Sequence, residues 1–529
     1  MHTLIVTTWG DPGGWKGARY FVEVPERRET KLKESERAYK ATLGALIYAM
    51  ETNYALVLIS DTLAVNGEVR DEKYESVCEA ALKYADHYLH EYIENPEKIE
   101  LSVLPGVGTF QSGDKKPEPG DKRPKLEAIG SPLLYMLFAF YEVAQRLRKY
   151  KPKRLVLDLS HGINYMPVMA YRAVETAVHY YSLTTGEEIE LLVYNSDPIR
   201  KEEQEAVIHL IEHKAVNFQA ALERAYTVTG RVKLEQLAES IARLPPRLKS
   251  MGKELGDEIV NRRNKLKNEI EEEYKESILF CRGFVRGARK GLPLFLAYKL
   301  VKLSRINVPD SLKLLDELRR DFALVKICND TLNIFHLYSP NEEVLNFILE
   351  LALVERLSSE ITCQSMTSNY RLDYLEQLIK QYIVDKSACI IASHELDDIK
   401  ERLEAFKAMI YMLDLNLPEE CPYALVYEIC ELKDGGRRVI EVFRSKNPTK
   451  NLENFKSWLG QHTSDLRCAV QEKLRIYEHY KCEESMVDKR NFYAHAGLER
   501  HTVRVNIKEA TLSYYEYFLK LIEDLASDP

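Results

Sequence analysis

Over the first two hundred residues, short runs of consecutive apolar residues alternate with longer stretches of helical periodicity. Leu4–Thr8, Tyr54–Ser60, Ile99–Leu104, Arg154–Leu159 and Ile189–Asn195 are β-rich and nearly continuously apolar, as strands buried on both faces of a sheet are. Between them, residues 32–51, 71–93, 130–150 and 165–183 repeat apolar positions every three to four residues, the period of an amphipathic helix. Such alternation implies an α/β domain, a parallel sheet with helices on both faces. From about residue 201 the strand signal fades. Helical patterns follow at Glu202–Ala225, Leu234–Ile241, Leu255–Tyr274, Asp310–Asp321, Glu342–Ile361, Asp373–Val384, Asp397–Met412, Asp465–Tyr480 and Ala510–Ala526. Two stretches have loop character. One is the Gly/Pro/Lys-rich Gln111–Pro124; the other is Asp434–Asn451, where Asp434-Gly435-Gly436 signals a turn and Val439–Phe443 a short strand.

A chain of 529 residues is too long for one ordinary core. The patterns divide it into an α/β domain (1–200), a helical linker (201–355) in which Val232–Leu244 has the look of half a helix-turn-helix, and a C-terminal helical domain (356–529). No run of eighteen apolar residues occurs, so no membrane-spanning helix is expected, and the N-terminus lacks the basic region and cleavage site of a secretory leader. The nine cysteines are scattered, odd in number and without a Cys-x-x-Cys pair, which suits buried thiols in a reducing cytoplasm and neither a disulfide framework nor a zinc site. A net charge of −8 excludes a protein that coats nucleic acid broadly. Contact with RNA would be local. The one basic stretch with aromatic interleaving, Arg282-Gly283-Phe284-Val285-Arg286-Gly287-Ala288-Arg289-Lys290, is either a solvated helix end or a lead for RNA.

In open α/β sheets, ligands bind beyond the carboxyl ends of the strands. Here those ends carry Thr8-Trp9-Gly10-Asp11 with Trp15 close behind, Ser60-Asp61-Thr62, Gly106-Val107-Gly108-Thr109, and Ser160-His161-Gly162-Ile163-Asn164. All are small, hydroxylic or glycine-rich, so backbone N–H groups can approach a phosphate or a base, while Trp9 and Trp15 can stack on a nucleobase. Each also has a plain structural role open to it. Gly106 and Gly108 suit a turn, Asn164 a helix cap, and His161 a turn histidine. No Walker motif is present, and no Gly-x-Gly-x-x-Gly opens a helix, which argues against a conventional ATPase or dehydrogenase.

Near the C-terminus, Arg490-Asn491-Phe492-Tyr493-Ala494-His495 places a permanent cation five positions before a residue able to move a proton near neutral pH. Such a pair can cleave RNA without a metal, histidine handling the proton and arginine the charge on phosphorus. On a regular helix, five positions leave the two side chains about 140° apart. They converge only at a helix boundary, or by pairing with the same motif of a second subunit.

These residues together resemble a known family. Leu157-Asp158-Leu159-Ser160-His161-Gly162-Ile163-Asn164 is similar to the strand-end signature of CRISPR-associated Rossmann-like (CARF) domains, and Ser60-Asp61-Thr62-Leu63 and Pro105-Gly106-Val107-Gly108 match that family's other strand ends. Coupled to Arg-x4-His, the chain looks like the CARF–HEPN ribonucleases of type III CRISPR systems, of the Csx type. The resemblance implies a Rossmann-like CARF domain, an all-α linker and a C-terminal HEPN domain. It implies a homodimer or larger oligomer that binds a cyclic oligoadenylate across its two-fold axis, cyclic tetra-adenylate ahead of cyclic hexa-adenylate. The ligand residues would be Thr8, Trp9, Gly10, Asp11, Trp15, Ser60, Asp61, Thr62, Gly106, Gly108, Thr109, Ser160, His161, Gly162 and Asn164. Arg490 and His495, supported by Asn491, would then cut single-stranded RNA in antiviral defence, leaving 2′,3′-cyclic phosphate and 5′-hydroxyl ends, with no metal or other cofactor. Two alternatives stay open: a ligand-responsive regulator or scaffold without nuclease activity, and a ring nuclease that degrades the cyclic oligoadenylate with Ser160, His161 or Lys16.

Overall fold

The computed structural model describes residues 3–527 apart from 27–28, 53, 113–123, 201–203, 232, 242–247, 249–252, 329–330, 362–368, 433–435, 445–447 and 478–486. The expected loop core at 113–123, the Asp434-Gly435 turn and the last residues of the suggested helix-turn-helix lie outside the described residues. The chain forms two compact units, Met1–Lys275 with Pro309–Arg356, and Glu276–Val308 with Leu357–Pro529.

The first unit is built on strands β1 (Thr3–Trp9), β2 (Ala18–Glu26), β3 (Glu29–Tyr39), β4 (Ala55–Ser60), β5 (Ile99–Leu104), β6 (Gly108–Gln111), β7 (Lys125–Ile129), β8 (Arg154–His161), β9 (Ile189–Ser196), β10 (Gln204–Val216), β11 (Ala323–Cys328) and β12 (Thr331–His336). Eight of them form one sheet in the order β3-β2-β10-β9-β8-β1-β4-β5. The five apolar runs of the sequence are its parallel centre, β9-β8-β1-β4-β5. Every residue of β1 and β4 is buried, because helices cover both faces. Those helices are α1 (Thr42–Met50), α2 (Tyr74–Tyr92), α3 (Pro132–Tyr150) and α4 (Met166–Thr185). α2 lays Val77, Ala81, Ala85 and Leu89, one face at helical spacing, into the core formed with Ile5, Val57 and Ile59. Each large aliphatic side chain so buried contributes roughly 1.5–3 kcal/mol. α3 starts where Ser131 accepts the Leu133 N–H and Pro132 opens the helix; α4 ends at Gly186, whose φ of 78° only glycine adopts easily.

Several expectations change. Residues 32–39, expected to start a helix, belong to β3, and the helix begins only at Thr42. Glu202–Ala225 is not one helix; β10 occupies most of it, and a helix runs only from Phe218 to Val228. The stretch 201–355 is helical over much of its length but also supplies β11 and β12, which join β7 and β6 in a second sheet ordered β11-β12-β7-β6.

The second unit is mainly helical, with long helices at Lys386–Met412 and Pro448–Tyr477 and shorter ones at Pro293–Leu303, Leu372–Tyr382, Tyr423–Cys430, Gly436–Arg444, Lys489–Ala494 and Leu519–Ser527. It carries four short antiparallel strands, β13 (Tyr370–Arg371), β14 (Glu420–Pro422), β15 (Val503–Asn506) and β16 (Thr511–Tyr514), in the order β13-β16-β15-β14. The strand expected at Val439–Phe443 is helical instead, burying Val439, Ile440 and Val442. Of the expected helix Ala510–Ala526, the first part is β16. Among the described residues no helix is long and apolar enough to cross a membrane. Cys281, Cys421 and Cys430 are buried as expected, whereas Cys328 and Cys468 are exposed.

Candidate functional sites

The four polar strand ends fall on four adjacent parallel strands, β8, β1, β4 and β5, and therefore on one edge of the sheet. Strand order reverses beside β1: the chain goes on to β4 and β5 on one side and returns to β8 and β9 on the other. That is where an α/β sheet opens a crevice.

Within this edge the side chains are heavily cross-linked. The buried Asp158 carboxylate accepts the Thr7 and Thr42 hydroxyls at 2.9 and 2.6 Å, and the Ser160 hydroxyl and N–H at 2.5 and 3.0 Å. The Ser160 oxygen also accepts the Ser196 N–H at 3.0 Å. His161 Nε2 accepts the Thr42 N–H at 3.1 Å, which leaves the ring proton on Nδ1. Its ring stacks on Trp15 at 4.0 Å, and burial pulls its pKa below the ordinary value while Asp158 pulls it up. Trp9 is fully buried with its edge against Trp15, so it is a core residue and presents no face for a base; Trp15 is only partly buried. Thr8 is buried and its hydroxyl has no hydrogen-bond partner. Asp11 ties the loop after β1 by accepting from the Gly13 N–H, Tyr84 and Asn66.

The β4 and β5 ends meet at Asp61. Its Oδ1 accepts the Gly106 N–H at 2.7 Å, and its Oδ2 accepts Tyr74 at 3.1 Å and His336 Nε2 at 2.8 Å. The Val107 N–H is donated to the Tyr165 hydroxyl at 2.8 Å. The Gly106 and Val107 N–H groups at this strand end are thus held by protein side chains. Ser60 accepts the Thr62 N–H and caps the turn that follows β4. Gly108 and Thr109 open β6, opposite Ala128 and Glu127. Asn164 holds a left-handed φ of 47° just ahead of α4, and a side chain at Gly162 would meet Pro167 at 2.5 Å. A Cβ at Gly106 would lie 2.0 Å from Ser60 Oγ. Gly106→Ala is therefore expected to destabilise the unit by about 1–3 kcal/mol through overpacking. Urea denaturation checks it, and an unchanged midpoint would show that the loop can step aside.

In the second unit, the six-residue helix Lys489–Ala494 carries Arg490 and Asn491, with Asp488 capping it through the Asn491 N–H. His495 is the residue at which this helix ends, and the chain turns away through Ala496 and Gly497 with φ of 49° and 73°. The motif thus sits at a helix boundary. His495 Nδ1 bonds to Glu395 Oε2 at 3.0 Å, and this hydrogen bond raises the imidazole pKa against the opposing effect of burial. Asn491 and His495 line a cavity of about 380 Å³ together with His394, Glu395, Asp398, Arg402, Tyr423, Tyr427, Leu498, Glu499 and Arg500. Arg402 is paired with Asp398 and Glu431 and lies over the Tyr427 ring, which Arg500 also approaches. Burial raises the Glu499 pKa even though its carboxylate accepts the His501 and Thr502 N–H groups. Arg490 is exposed and does not line the cavity. Glu395, Asp398 and Arg402 went unmarked in the sequence; their i, i+3, i+7 spacing on one helix face was the signal available.

Comparison with known families decides what these arrangements belong to. Residues 4–198 match the CARF domain of the CRISPR system endoribonuclease Csx1, and residues 389–517 match its HEPN domain. The chain belongs to the CARF–HEPN family. The strand edge lies in the CARF segment and the His495 cavity in the HEPN segment. A CRISPR system endoribonuclease Csx1 of Methanocaldococcus jannaschii is 29% identical over 213 residues, 40% of each chain, so the match spans well under half of that relative's length. A solved structure of Enterococcus italicus Csm6 bound to cyclic hexa-2′-fluoro-hexa-dAMP aligns with 89% of this chain and all of its own at 9% identity and a TM-score of 0.20, too low to support any argument. Among the described residues, no group of three or more His, Cys, Asp or Glu is arranged to hold a metal ion.

Proposed function

We propose that this CARF–HEPN protein is a CRISPR-associated endoribonuclease of the cytoplasm that cuts single-stranded RNA when a cyclic oligoadenylate, the tetramer ahead of the hexamer, occupies the CARF strand edge of a homodimer. The observation that carries the reading is His495, held at a helix end by Glu395 on the wall of a polar cavity in the HEPN segment. With Nδ1 engaged by Glu395, Nε2 is the nitrogen left to exchange a proton with RNA. The ribose 2′-hydroxyl gives its proton to water as its oxygen bonds to phosphorus, the P–O5′ bond breaks, and the departing oxygen takes the proton from His495, which then regains one from solvent. Arg490, a permanent cation on the same short helix, stabilises the charge on the phosphoryl oxygens, and Asn491 hydrogen-bonds beside it. The products carry 2′,3′-cyclic phosphate and 5′-hydroxyl ends, and no step calls for a metal. An internally two-fold ring suits a pocket made of the same surface from two subunits.

Labelled single-stranded RNA in EDTA, with and without cyclic tetra- or hexa-adenylate, tests the proposal. Cutting that needs one ring size supports it. Ring binding without cutting would favour a regulator. The ring-nuclease alternative has less support, because Ser160, His161 and Lys16 are all engaged, Lys16 by the Arg200 carbonyl at 2.9 Å.

The raised His495 pKa suits an acid. Glu395→Gln removes the largest cause of that rise and leaves burial, which lowers the pKa. The protonated fraction at neutral pH then falls, so the alkaline limb of the pH–rate profile at saturating activator is expected to move to lower pH. Movement of an acidic limb instead would assign His495 to the 2′-hydroxyl proton.

A further inference from the structure

The basic stretch after Arg282 lies on the helix Lys275–Arg289 of which all but the first residue belongs to the second unit. Its aromatic members are core. Phe280 and Phe284 are buried, and Phe284 packs edge-on against Tyr382. The cations are not. Leu279, Arg282, Arg286 and Arg289 recur at three- and four-residue intervals along one strip of the helix, on the side away from the buried Ser277, Phe284 and Ala288; Arg286 and Arg289 are exposed and Arg282 is partly so. Arg282 to Arg289 spans about 10 Å at a rise of 1.5 Å per residue.

The end of this stripe abuts the His495 site at three points. Lys290 Nζ lies 4.8 Å over the ring of Tyr493, between Arg490 and His495 in sequence, and 3.3 Å from its hydroxyl. Gly291, with φ of 67°, packs so closely on Ala388, at the start of the helix that carries Glu395, that a Cβ there would lie 3.0 Å from the Ala388 oxygen. A Cβ at Gly497 would lie 3.2 Å from Leu292. Burial and the nearby Arg286 lower the Lys290 pKa, so like charges are crowded where the helix meets the site.

We propose that Arg282, Arg286 and Arg289 form a track that holds the phosphates of single-stranded RNA outside the cleaved step and leads the strand to His495. The proposal rests on the nuclease reading above. It predicts length-dependent binding, because a substrate too short to reach the stripe gains nothing from it.

The test is the full-length Arg282→Ala/Arg286→Ala/Arg289→Ala protein at saturating activator; alanine preserves the helix. For an RNA of about twenty nucleotides, KM is expected to rise about tenfold or more with kcat within about twofold, and the log–log salt slope to fall by about 2, at roughly 0.7 per phosphate. For a tetranucleotide KM is expected to hold, and the triple Arg→Lys variant should recover most of the loss. Unchanged KM on the long RNA would overturn the proposal and leave the stripe to an acidic protein surface. So would an equal loss on the tetranucleotide. If the wild-type protein cuts no RNA with either ring, the nuclease reading fails, and fluorescence anisotropy of the labelled long RNA still decides the track. Equal binding by wild type and triple alanine variant overturns it, and about tenfold weaker binding by the variant supports it.

Discussion

Replacing His495 with alanine is expected to lower ring-activated RNA cleavage by about 10²–10⁴-fold, the range for loss of a positioned general acid. The side chain is about half exposed and its bond to Glu395 leaves the core untouched, so the fold should survive. Circular dichroism and cyclic oligoadenylate binding should match the wild type, and only the chemical step should fail. Arg490→Ala should show a comparable loss, with Arg490→Lys recovering only part of it, because a lysine cannot grip a phosphate through two parallel bonds. Cleavage within about tenfold of wild type in His495→Ala would show that the motif is not the catalytic pair.

The second large effect is on stability. His336 and Asp61 are both fully buried, 275 residues apart in sequence, and 2.8 Å apart in space. Phe322 lies against the imidazole, and Gly130 is so close that a Cβ there would come within 2.6 Å of His336 Nδ1. Removing one partner of such a pair strips compensation from a buried carboxylate. His336→Leu is expected to cost about 3 kcal/mol, read as a lower urea midpoint. His336→Gln, which keeps an N–H donor, should recover part of the loss. Because Asp61 also accepts the Gly106 N–H, the leucine variant should need more ring for half-maximal activation even where it remains folded. A stability change below about 1 kcal/mol would mean that Tyr74 and Gly106 suffice to hold Asp61.

The sequence alone made the central sheet legible. β1, β4 and the middle stretches of β8 and β9 are buried on both faces, as only strands covered by helices on both sides are, whereas β5 at the sheet's edge leaves Glu100 partly exposed. It also determined that polar residues follow those strands, since a strand must end before its chain can turn. The sheet's other half was illegible for physical reasons. β3 is largely exposed and dense in Lys and Glu, as an edge strand tends to be, so it shows no apolar alternation. In β10, Ala206 and Ile208 are buried alternately, but its register shifts between Leu210 and Glu212, and beyond that point charged residues break the period. Pairing with β9 and β2, not propensity, makes it a strand.

For the sites, sequence identified chemistry and tertiary structure allotted partners. Arg490 and His495 stood out because their residue types and spacing suit phosphodiester cleavage. Glu395 did not, being one of 82 acidic residues, until the fold brought it to the imidazole from 100 positions away. The strand ends were found as a set, yet which N–H groups Asp61 and Tyr165 claim, which tryptophan is core, and that Gly108 opens a second sheet depend on contacts between distant segments. His336 is the extreme case. Nothing local distinguishes a histidine at the end of a short strand, and only closure of a chain loop of 275 residues gives it Asp61. Local pattern is set by which faces must avoid water; the identity of a buried polar partner is set by which segments meet.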